Sequence, residues 1–284
     1  MDGFTLLASG YGSIEGPCVD DVGGVYFSDV WNGGVYRVTP DGGVEVAVPK
    51  RRGVGGICLH ADGGIVVAGR TLARVVDGET EVIVEAEHLA PAANRFSGFN
   101  DFGADAAGRV FVGAGRRSAD DELEDCELYL VTGEGEAQKV CGGLGLPNGV
   151  ASSPDGRWLY HADTEARALL VLDLADPDPV PPVTRTLSTA AAPGGPDGLA
   201  TDVEGGIWMA LHGGGCIARF TPDGDLDRTV AVPAGDPLNL CFVGPELTEL
   251  VVVTQDNAEQ PELGGCVFRT SVGVQGREVP KARI

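Results

Sequence analysis

The chain has 284 residues, a formal net charge of −22 and 43% hydrophobic residues. The negative charge repels phosphate backbones and anionic lipid head groups, which argues against nucleic-acid-binding and membrane-surface roles. The hydrophobic content excludes a disordered chain, and 44 glycines with 18 prolines indicate a compact protein rich in turns.

The N-terminal stretch MDGFTLLASGYGS has neither a basic region nor a long apolar core, so no secretion signal is visible. No apolar run reaches the roughly 18 to 20 residues of a membrane span. The cysteines are odd in number, scattered and without a CxxC pair, which is typical of reduced thiols. They are Cys18, Cys58, Cys126, Cys141, Cys216, Cys241 and Cys266. The sequence therefore predicts a cytoplasmic protein without a membrane partner.

One short unit recurs along the chain, a turn of the form Asp-x-x-Gly followed by a strand of β-branched and aromatic residues. Examples are DDVGGVYFSD, DAAGRVFVGA and DVEGGIWMAL. The six copies, the last of them degraded, start at Asp20, His60, Asp105, Ser153, Asp202 and Val243. Successive starts are 40, 45, 48, 49 and 41 residues apart, a spacing typical of propeller blades.

Further runs with a period of two, such as GGVYRVTPDG and CIARFTPDG, lie between the copies and predict additional strands joined by tight turns. Four short strands per unit predict an all-β, six-bladed β-propeller around a central channel. We expect a single domain over residues 1–284, in which the opening strand FTLLA completes the last blade beside CVFRTS. A repetitive β-sandwich is the competing layout.

The position five residues before each turn start carries a side-chain oxygen in four of the six copies. These positions are Glu15, Gly55, Asn100, Asn148, Asp197 and Leu238. Equivalent positions of a propeller lie at the same height around its axis, so the four polar side chains are expected to converge at one end of the channel. Asn-Gly and Asp-Gly are also common turn dipeptides, but a turn explains neither Glu15 nor Asn100.

Two carboxylates and two amides gathered in one pocket favour a divalent cation, because the carboxylates would otherwise repel each other. Glu15 and Asp197 would neutralise the charge of the cation, and Asn100 and Asn148 would add carbonyl oxygens. Oxygen ligands suit Ca²⁺, Mg²⁺ or Mn²⁺. We expect Ca²⁺; Zn²⁺ stays an alternative that the ligand types do not specifically indicate.

The loops on the return side of each hairpin are predicted to form the wall of the pocket at the same end. They contain Asp29, Trp31, Arg70, Arg116, Arg117, Asp163, His212 and Gln255. Arginines and a histidine near one mouth, in a chain with only 20 Lys and Arg, suggest an anionic or polyhydroxylated ligand. Arg116 and His212 are therefore candidate substrate-binding residues, although each is equally compatible with a surface or structural role.

The motifs EGP (15–17), FND (99–101), LPNGVASSPDGRWLYHAD (146–163) and PDGLATDVEGGIWMAL (196–211) resemble the senescence marker protein/gluconolactonase family, also called regucalcin-like. The resemblance runs from about residue 12 to 273. It implies a six-bladed propeller that binds one divalent metal through Glu15, Asn148 and Asp197. It also implies that Asn100 contacts substrate or water on the metal.

The resemblance further implies hydrolysis of a sugar lactone or another cyclic ester. Sugar-lactone members carry an arginine two residues before the equivalent of Asn100, but this chain has Gly98 there. Arg95 is a candidate replacement, and the departure leaves the identity of the substrate open.

The leading hypothesis is a metal-dependent lactonase in which the cation polarises the lactone carbonyl and activates water. Asp197 is the candidate general base, and Asn100 is the second candidate catalytic residue. The alternatives are a phosphotriesterase or an isomerase with the same metal site, or a non-catalytic propeller that binds a metal, a ligand or a partner. A small-molecule substrate is expected, and the oligomeric state is left open.

Overall fold

A computed structural model describes residues 3–85, 89, 95–117, 123–133, 135–176, 178–255 and 260–284. For residues 95–97, 116–117 and 123–125 it describes the backbone and not the side chains. Within the described residues, twenty-four strands form six antiparallel sheets of four strands each. The first three blades contain β2–β5 (Ile14–Val19, Val25–Asp29, Val35–Val38, Val44–Val48), β6–β9 (Ile57–Leu59, Ile65–Val67, Thr71–Val76, Glu79–Glu85) and β10–β13 (Arg95–Ala104, Val110–Arg117, Leu123–Val131, Ala137–Leu144).

Blades four to six complete the ring. They contain β14–β17 (Pro147–Ser152, Trp158–Asp163, Ala168–Asp173, Val183–Ser188), β18–β21 (Gly195–Thr201, Ile207–His212, Cys216–Phe220, Leu226–Ala231) and β22–β24 with β1 (Pro237–Val243, Glu249–Thr254, Gly265–Ser271, Phe4–Tyr11). The predicted six-bladed β-propeller is confirmed.

The ring closes where the N-terminal strand β1 joins the last strand of the sixth blade. β1 pairs antiparallel with β24, for example through Phe4 and Thr270. This pairing confirms the expectation for FTLLA and CVFRTS. Hydrogen bonds between the two ends of the chain therefore hold the circle together, and β1 is the outermost strand of the sixth blade.

The hydrophobic core lies between adjacent blades, because side chains alternate across each strand. In β19, Met209 and Leu211 pack against the fourth blade, where they meet Tyr160. The intervening Trp208 points the other way and meets Phe242 of the sixth blade edge to face, with ring centroids 6.3 Å apart. Each strand of this kind thus binds two neighbouring blades at once.

The first strand of each blade lines the channel and contacts its neighbours around the ring. A C-terminal strap (residues 272–284), whose position sequence reasoning did not address, crosses the end of the channel where the Asp-x-x-Gly turns lie. Backbone hydrogen bonds tie it to four blades: Gly276 N donates to Leu247 O, Arg277 N to Thr201 O, Ala282 N to Leu59 O and Arg283 N to Gly108 O. An axial cavity of about 70 Å³ separates the strap from the polar end of the channel.

Two further features concern the environment of the chain. All seven cysteines belong to the described residues, and none of them forms a disulfide. No helix in the described part of the chain combines the length and the apolar character needed to cross a bilayer.

Candidate active site

A β-bulge occurs at the predicted ligand position of four inner strands. The pairing register shifts between Glu15 and Cys18, Phe99 and Phe102, Pro147 and Val150, and Pro196 and Leu199. A bulge adds one residue to a strand and re-aims its side chain. The Asn-Gly and Asp-Gly dipeptides therefore lie within strands, and the turn interpretation of these pairs is wrong.

Glycine follows the ligand position in four blades because no side chain fits there. A Cβ on Gly149 would lie 2.4 Å from Asp197 O, and one on Gly198 would lie 2.0 Å from Asn239 Oδ1. These are close approaches between neighbouring inner strands. The glycines of the PNG and PDG motifs thus allow adjacent blades to bring their polar residues together.

The two predicted amides contact each other across the boundary between the third and fourth blades. Asn100 Nδ2 donates to Asn148 Oδ1, and also to Pro147 O at 2.9 Å. Asn148 Nδ2 donates to Thr164 Oγ1 at 2.7 Å, and that hydroxyl donates to Pro196 O at 2.7 Å. Because the Thr164 hydroxyl is committed to a backbone carbonyl, it fixes the amide group of Asn148 with its oxygen on the side of Asn100.

Glu15 belongs to a second buried group that sequence reasoning missed. Asn239 uses one amide nitrogen to donate to Glu15 Oε2 at 3.1 Å and to Asp101 Oδ2 at 2.8 Å. All three side chains are buried. Burial and the charge of Asp101 raise the pKa of Glu15 well above its usual range, and burial raises the pKa of Asp101 to about 7.

Asp197 is buried without complete hydrogen bonding. Its side chain is 4% exposed, and Oδ1 has no hydrogen-bond partner among the described residues. Burial first, and then the charges of Glu15, Asp101 and Asp236, raise the pKa of Asp197 well above its usual range. An ionised Asp197 therefore lacks a compensating positive group, which is costly for a carboxylate away from water.

This donor set fits a divalent cation. The unpartnered oxygen of Asp197, the repulsion among the carboxyl groups and the all-oxygen chemistry would each be relieved by such an ion. Within the described residues, no three His, Cys, Asp or Glu side chains are grouped as metal ligands. Only two of the four predicted donors, Glu15 and Asp197, are carboxylates. The other two are the side-chain amides of Asn100 and Asn148.

The two equivalent positions without a polar side chain, Gly55 and Leu238, are explained by their surroundings. A Cβ on Gly55 would lie 2.5 Å from Asn100 Oδ1, so Asn100 occupies the space that a side chain from the second blade would need. Leu238 is buried in the core. The polar residue of the sixth blade is instead Asn239, one position later.

A sequence signal for the two missed residues existed. The position after the ligand position is glycine in four copies, at residues 16, 56, 149 and 198, but it is Asp101 in the third copy and Asn239 in the sixth. A polar side chain where the other blades require glycine indicates a second layer of polar groups beneath the first.

Two acidic residues of the predicted pocket wall have structural roles. Asp29 accepts hydrogen bonds from Gly12 N at 3.0 Å and Asn32 N at 2.9 Å. Asp163 accepts them from Gly145 N at 3.0 Å and Leu146 N at 3.1 Å. These carboxylates hold the loops that lead into Glu15 and Asn148.

The candidate substrate-binding residues lie at the same end of the channel. His212 ends β19 and pairs with Gly195, two residues before Asp197. The backbone of Arg95 pairs with Arg117, and that of Phe96 with Arg116. The side chains of Arg95 and Arg116 lie outside the described residues.

Fold and site together define a six-bladed propeller with a buried, oxygen-rich axial centre. The family model described as the SMP-30/Gluconolactonase/LRE-like region matches residues 14–256. The chain belongs to this family.

Three comparisons illustrate the relationship. The chain is 33% identical over 268 residues to a 6-deoxy-6-sulfogluconolactonase from Pseudomonas putida, covering 90% of this chain and 89% of the relative. It is 28% identical over 267 residues to a pentonolactonase from Haloferax volcanii, covering 89% and 88%. The crystal structure of regucalcin, a calcium-binding protein from Agrobacterium tumefaciens, superposes with a TM-score of 0.84 at 22% identity, covering 99% and 97%.

Proposed function

We propose that this protein is a divalent-metal-dependent lactonase. The observation that carries the proposal is the buried Asp197 carboxylate, whose Oδ1 has no hydrogen-bond partner in the described structure. Asp197 belongs to the same axial set as Glu15, Asn100 and Asn148. Relatives named as lactonases over about nine-tenths of the chain support the reaction class. A purely structural carboxylate would be expected to have its hydrogen bonds satisfied.

Glu15, Asn148 and Asp197 are the proposed metal ligands, and Ca²⁺ is the proposed ion. When bound, a divalent cation would neutralise the carboxylates and polarise the lactone carbonyl. Thr164 orients the amide of Asn148, and Asn239 holds the carboxylate of Glu15. These partners position the ligands before the ion arrives, as outer hydrogen bonds do in other metal sites.

Asp197 is the proposed general base. Its Oδ1 has no hydrogen-bond partner among the described residues and would accept a proton from the water that attacks the carbonyl carbon. Asn100 is the proposed second catalytic residue, because its side chain is only partly buried at the margin of the site. Contacts to Asn148 and Pro147 hold it where it can orient the substrate.

A sugar lactone is the proposed substrate class, with Arg95, Arg116, His212 and Asn100 as the proposed substrate-binding residues. The arginine common in sugar-lactone members is excluded at Gly98 by backbone geometry. Gly98 has a φ of 134°, and a Cβ there would lie 3.1 Å from Gly69 O. Contacts to the substrate hydroxyls therefore come from other residues, which favours a lactone different from that of the arginine-containing members.

A pH-indicator assay tests the proposal on a panel of γ- and δ-sugar lactones, a simple aliphatic lactone and a phosphotriester, with Ca²⁺ or with a chelator. We expect lactone hydrolysis that chelation abolishes and Ca²⁺ restores. Asp197→Asn removes the base, whereas Asp155→Asn is a matched control on an exposed turn of the fourth blade.

The other outcomes are distinct. Turnover of the phosphotriester alone would indicate a phosphotriesterase. Metal binding without any turnover would indicate a non-catalytic propeller. Lactone hydrolysis that resists chelation would contradict the role of the metal.

We further propose one propeller domain over residues 1–284 and a cytoplasmic location. The seven cysteines, none of which is in a disulfide, are in keeping with a reducing compartment.

A further inference from the structure

A histidine–aspartate pair joins the fifth and sixth blades at the mouth of the channel. His212 ends β19, and Asp236 immediately precedes β22. His212 Nδ1 lies 2.7 Å from Asp236 Oδ2. The imidazole is 43% exposed and the carboxylate 20% exposed, so the pair is at the rim and not in the core.

Asp236 is held in place by further contacts. Its Oδ1 accepts a hydrogen bond from Gly213 N at 2.7 Å, and its Oδ2 accepts one from Gln255 Nε2 at 2.9 Å. The carboxylate lies in ion-pair contact with Nδ1, which favours a proton on that nitrogen, and Nε2 lies on the opposite edge of the ring. The contact with Asp236 raises the pKa of His212, which favours the protonated imidazole.

The pair is close to the proposed catalytic base. His212 pairs with Gly195 on β18, the strand that carries Asp197 two residues later. The negative charge of Asp236 also contributes to the raised pKa of Asp197. The site therefore has a buried carboxylate and, above it at the mouth, an imidazole that a second carboxylate orients.

We propose that His212, oriented by Asp236, is the acid that protonates the ring oxygen of the lactone as the ring opens. This inference rests on the proposed lactonase function. Hydrolysis of a lactone releases an alkoxide, and an aliphatic alkoxide is a poor leaving group unless it is protonated as the bond breaks. Asp197 is already committed to accepting a proton, so a second group has to donate one.

The protons balance over one turnover. Water forms a bond to the carbonyl carbon and loses one proton to Asp197. The bond between that carbon and the ring oxygen then breaks, its electron pair stays on the oxygen, and the oxygen takes the proton from His212 Nε2. The new carboxylic acid ionises, and solvent exchange returns a proton to His212 and removes one from Asp197. The net products are a hydroxy-carboxylate and one proton.

The leaving group provides the test. His212→Asn and, as a second replacement, His212→Gln are compared with the unchanged protein on an aliphatic δ-lactone and on dihydrocoumarin. Dihydrocoumarin releases a phenolate, whose conjugate acid has a pKa of about 10, as in tyrosine. We expect kcat/KM to fall about 100-fold on the aliphatic lactone and less than about threefold on dihydrocoumarin. The Kd for Ca²⁺ and the melting temperature should stay unchanged.

Asp236 is a positioning residue, and its variant has a separate readout. The charged group that faces His212 in the described structure is Asp236, from the loop before β22. Without the Asp236 carboxylate the pKa of His212 falls. In Asp236→Asn, the alkaline limb of the pH–rate profile on the aliphatic lactone should therefore move to lower pH.

An equal loss on both lactones in the two His212 variants, or full activity on both, would overturn the role of His212 as an acid. An unchanged protein that hydrolyses neither lactone with Ca²⁺ present would instead overturn the lactonase proposal itself, and the inference with it.

Discussion

Four of the six repeats have two polar positions five residues apart, one at the turn start and one near the axis. In the fifth blade these are Asp202 and Asp197, both almost completely buried. Asp202 Oδ1 accepts from Gly206 N at 2.8 Å and Glu204 N at 3.0 Å. Asp202 Oδ2 accepts from Trp208 Nε1 at 2.8 Å and Arg219 Nε at 2.7 Å. Asp197 Oδ1 has no such partner in the described structure.

The same contrast occurs in two other blades. Asp20 accepts from Gly24 N at 2.7 Å and pairs with Arg37 at 2.6 Å, and Asp105 pairs with Arg109 at 2.7 Å. At the axial positions of these blades, Glu15 and Asn100 have amides as their partners and no cation. Among the described residues, the turn carboxylates thus have cationic partners, whereas the axial carboxylates Glu15 and Asp197 have none.

In this fold, the carboxylates that stabilise a blade are different residues from those of the candidate active site. The turn carboxylates are neutralised within their own blade, so they fold with it. Glu15 and Asn100 obtain their hydrogen-bond partners from other blades, and the proposed cation would compensate the repulsion among the axial carboxylates. Substitutions at the two kinds of position should therefore differ in their effects on stability and on turnover.

Asp197→Asn and Asp202→Asn should have opposite consequences. Asp197→Asn should lower kcat/KM by about 10³-fold through loss of the base. In chelator it should raise the melting temperature, because like-charge repulsion with Glu15 and Asp101 is removed. Asp202→Asn should lower the free energy of unfolding by about 3 kcal/mol, since it weakens the buried pair with Arg219, yet keep kcat within a few-fold. Steady-state kinetics and thermal melts measure both; similar effects from the two substitutions would contradict the division.

The chelated protein should lose stability as pH rises. A carboxyl group whose pKa is raised in the fold contributes stability below its unfolded pKa of about 3.9, and that stability is lost as pH rises towards the folded value. For Asp101 the folded pKa is about 7. The full effect is an upper value of about 4 kcal/mol at about 1.36 kcal/mol per pKa unit.

Asp101→Asn isolates this effect. The pKa of buried His161 is lowered to about 4, so its contribution changes with pH in the opposite sense and cancels in the difference between the two proteins. In chelator, the gain in unfolding free energy from Asp101→Asn should be near zero at pH 4 and largest at pH 8. A gain that does not depend on pH would show that Asp101 does not titrate in this window.

Asn239→Leu should weaken the binding of Ca²⁺ by about 10-fold, measured by calorimetry. The substitution keeps the size of the side chain but removes the donor shared by Glu15 and Asp101. Asn32→Leu is the control, because Asn32 also donates to a carboxylate at this end, that of Asp29, without contacting a proposed ligand. Equal affinity in the Asn239 variant would assign Asn239 to packing.

Gly55→Ala should have the smallest effect, a fall in kcat of about 10-fold or less with little change in the Kd for Ca²⁺. The new methyl group would displace the amide of Asn100, because its three nearest atoms all belong to Asn100 and none to Glu15 or Asp197. Gly43→Ala, on an exposed turn where a Cβ meets only Thr39 Oγ1 at 3.0 Å, is the matched control. Unchanged kinetics in both variants would indicate that Asn100 has no part in turnover.

Much of this architecture follows from the amino-acid sequence alone. The repeat of 40 to 49 residues predicts six blades, and the strand-forming N-terminus predicts the closure at β24. Counting back five residues from each turn identified Glu15, Asn100, Asn148 and Asp197 as one set. This works because a repeated local structure places equivalent residues at equal heights, and local structure is encoded by neighbouring residues.

The tertiary structure decided what local repetition cannot encode. Asn239 contacts Glu15 and Asp101 over sequence separations of 224 and 138 residues. His212 contacts Asp236 between two blades, and the strap crosses the far end of the channel. Such contacts depend on how the ring closes and on where the copies differ from one another. Periodicity in the sequence identifies what the blades share, whereas these contacts arise from residues that depart from the repeat and meet only after the blades have packed.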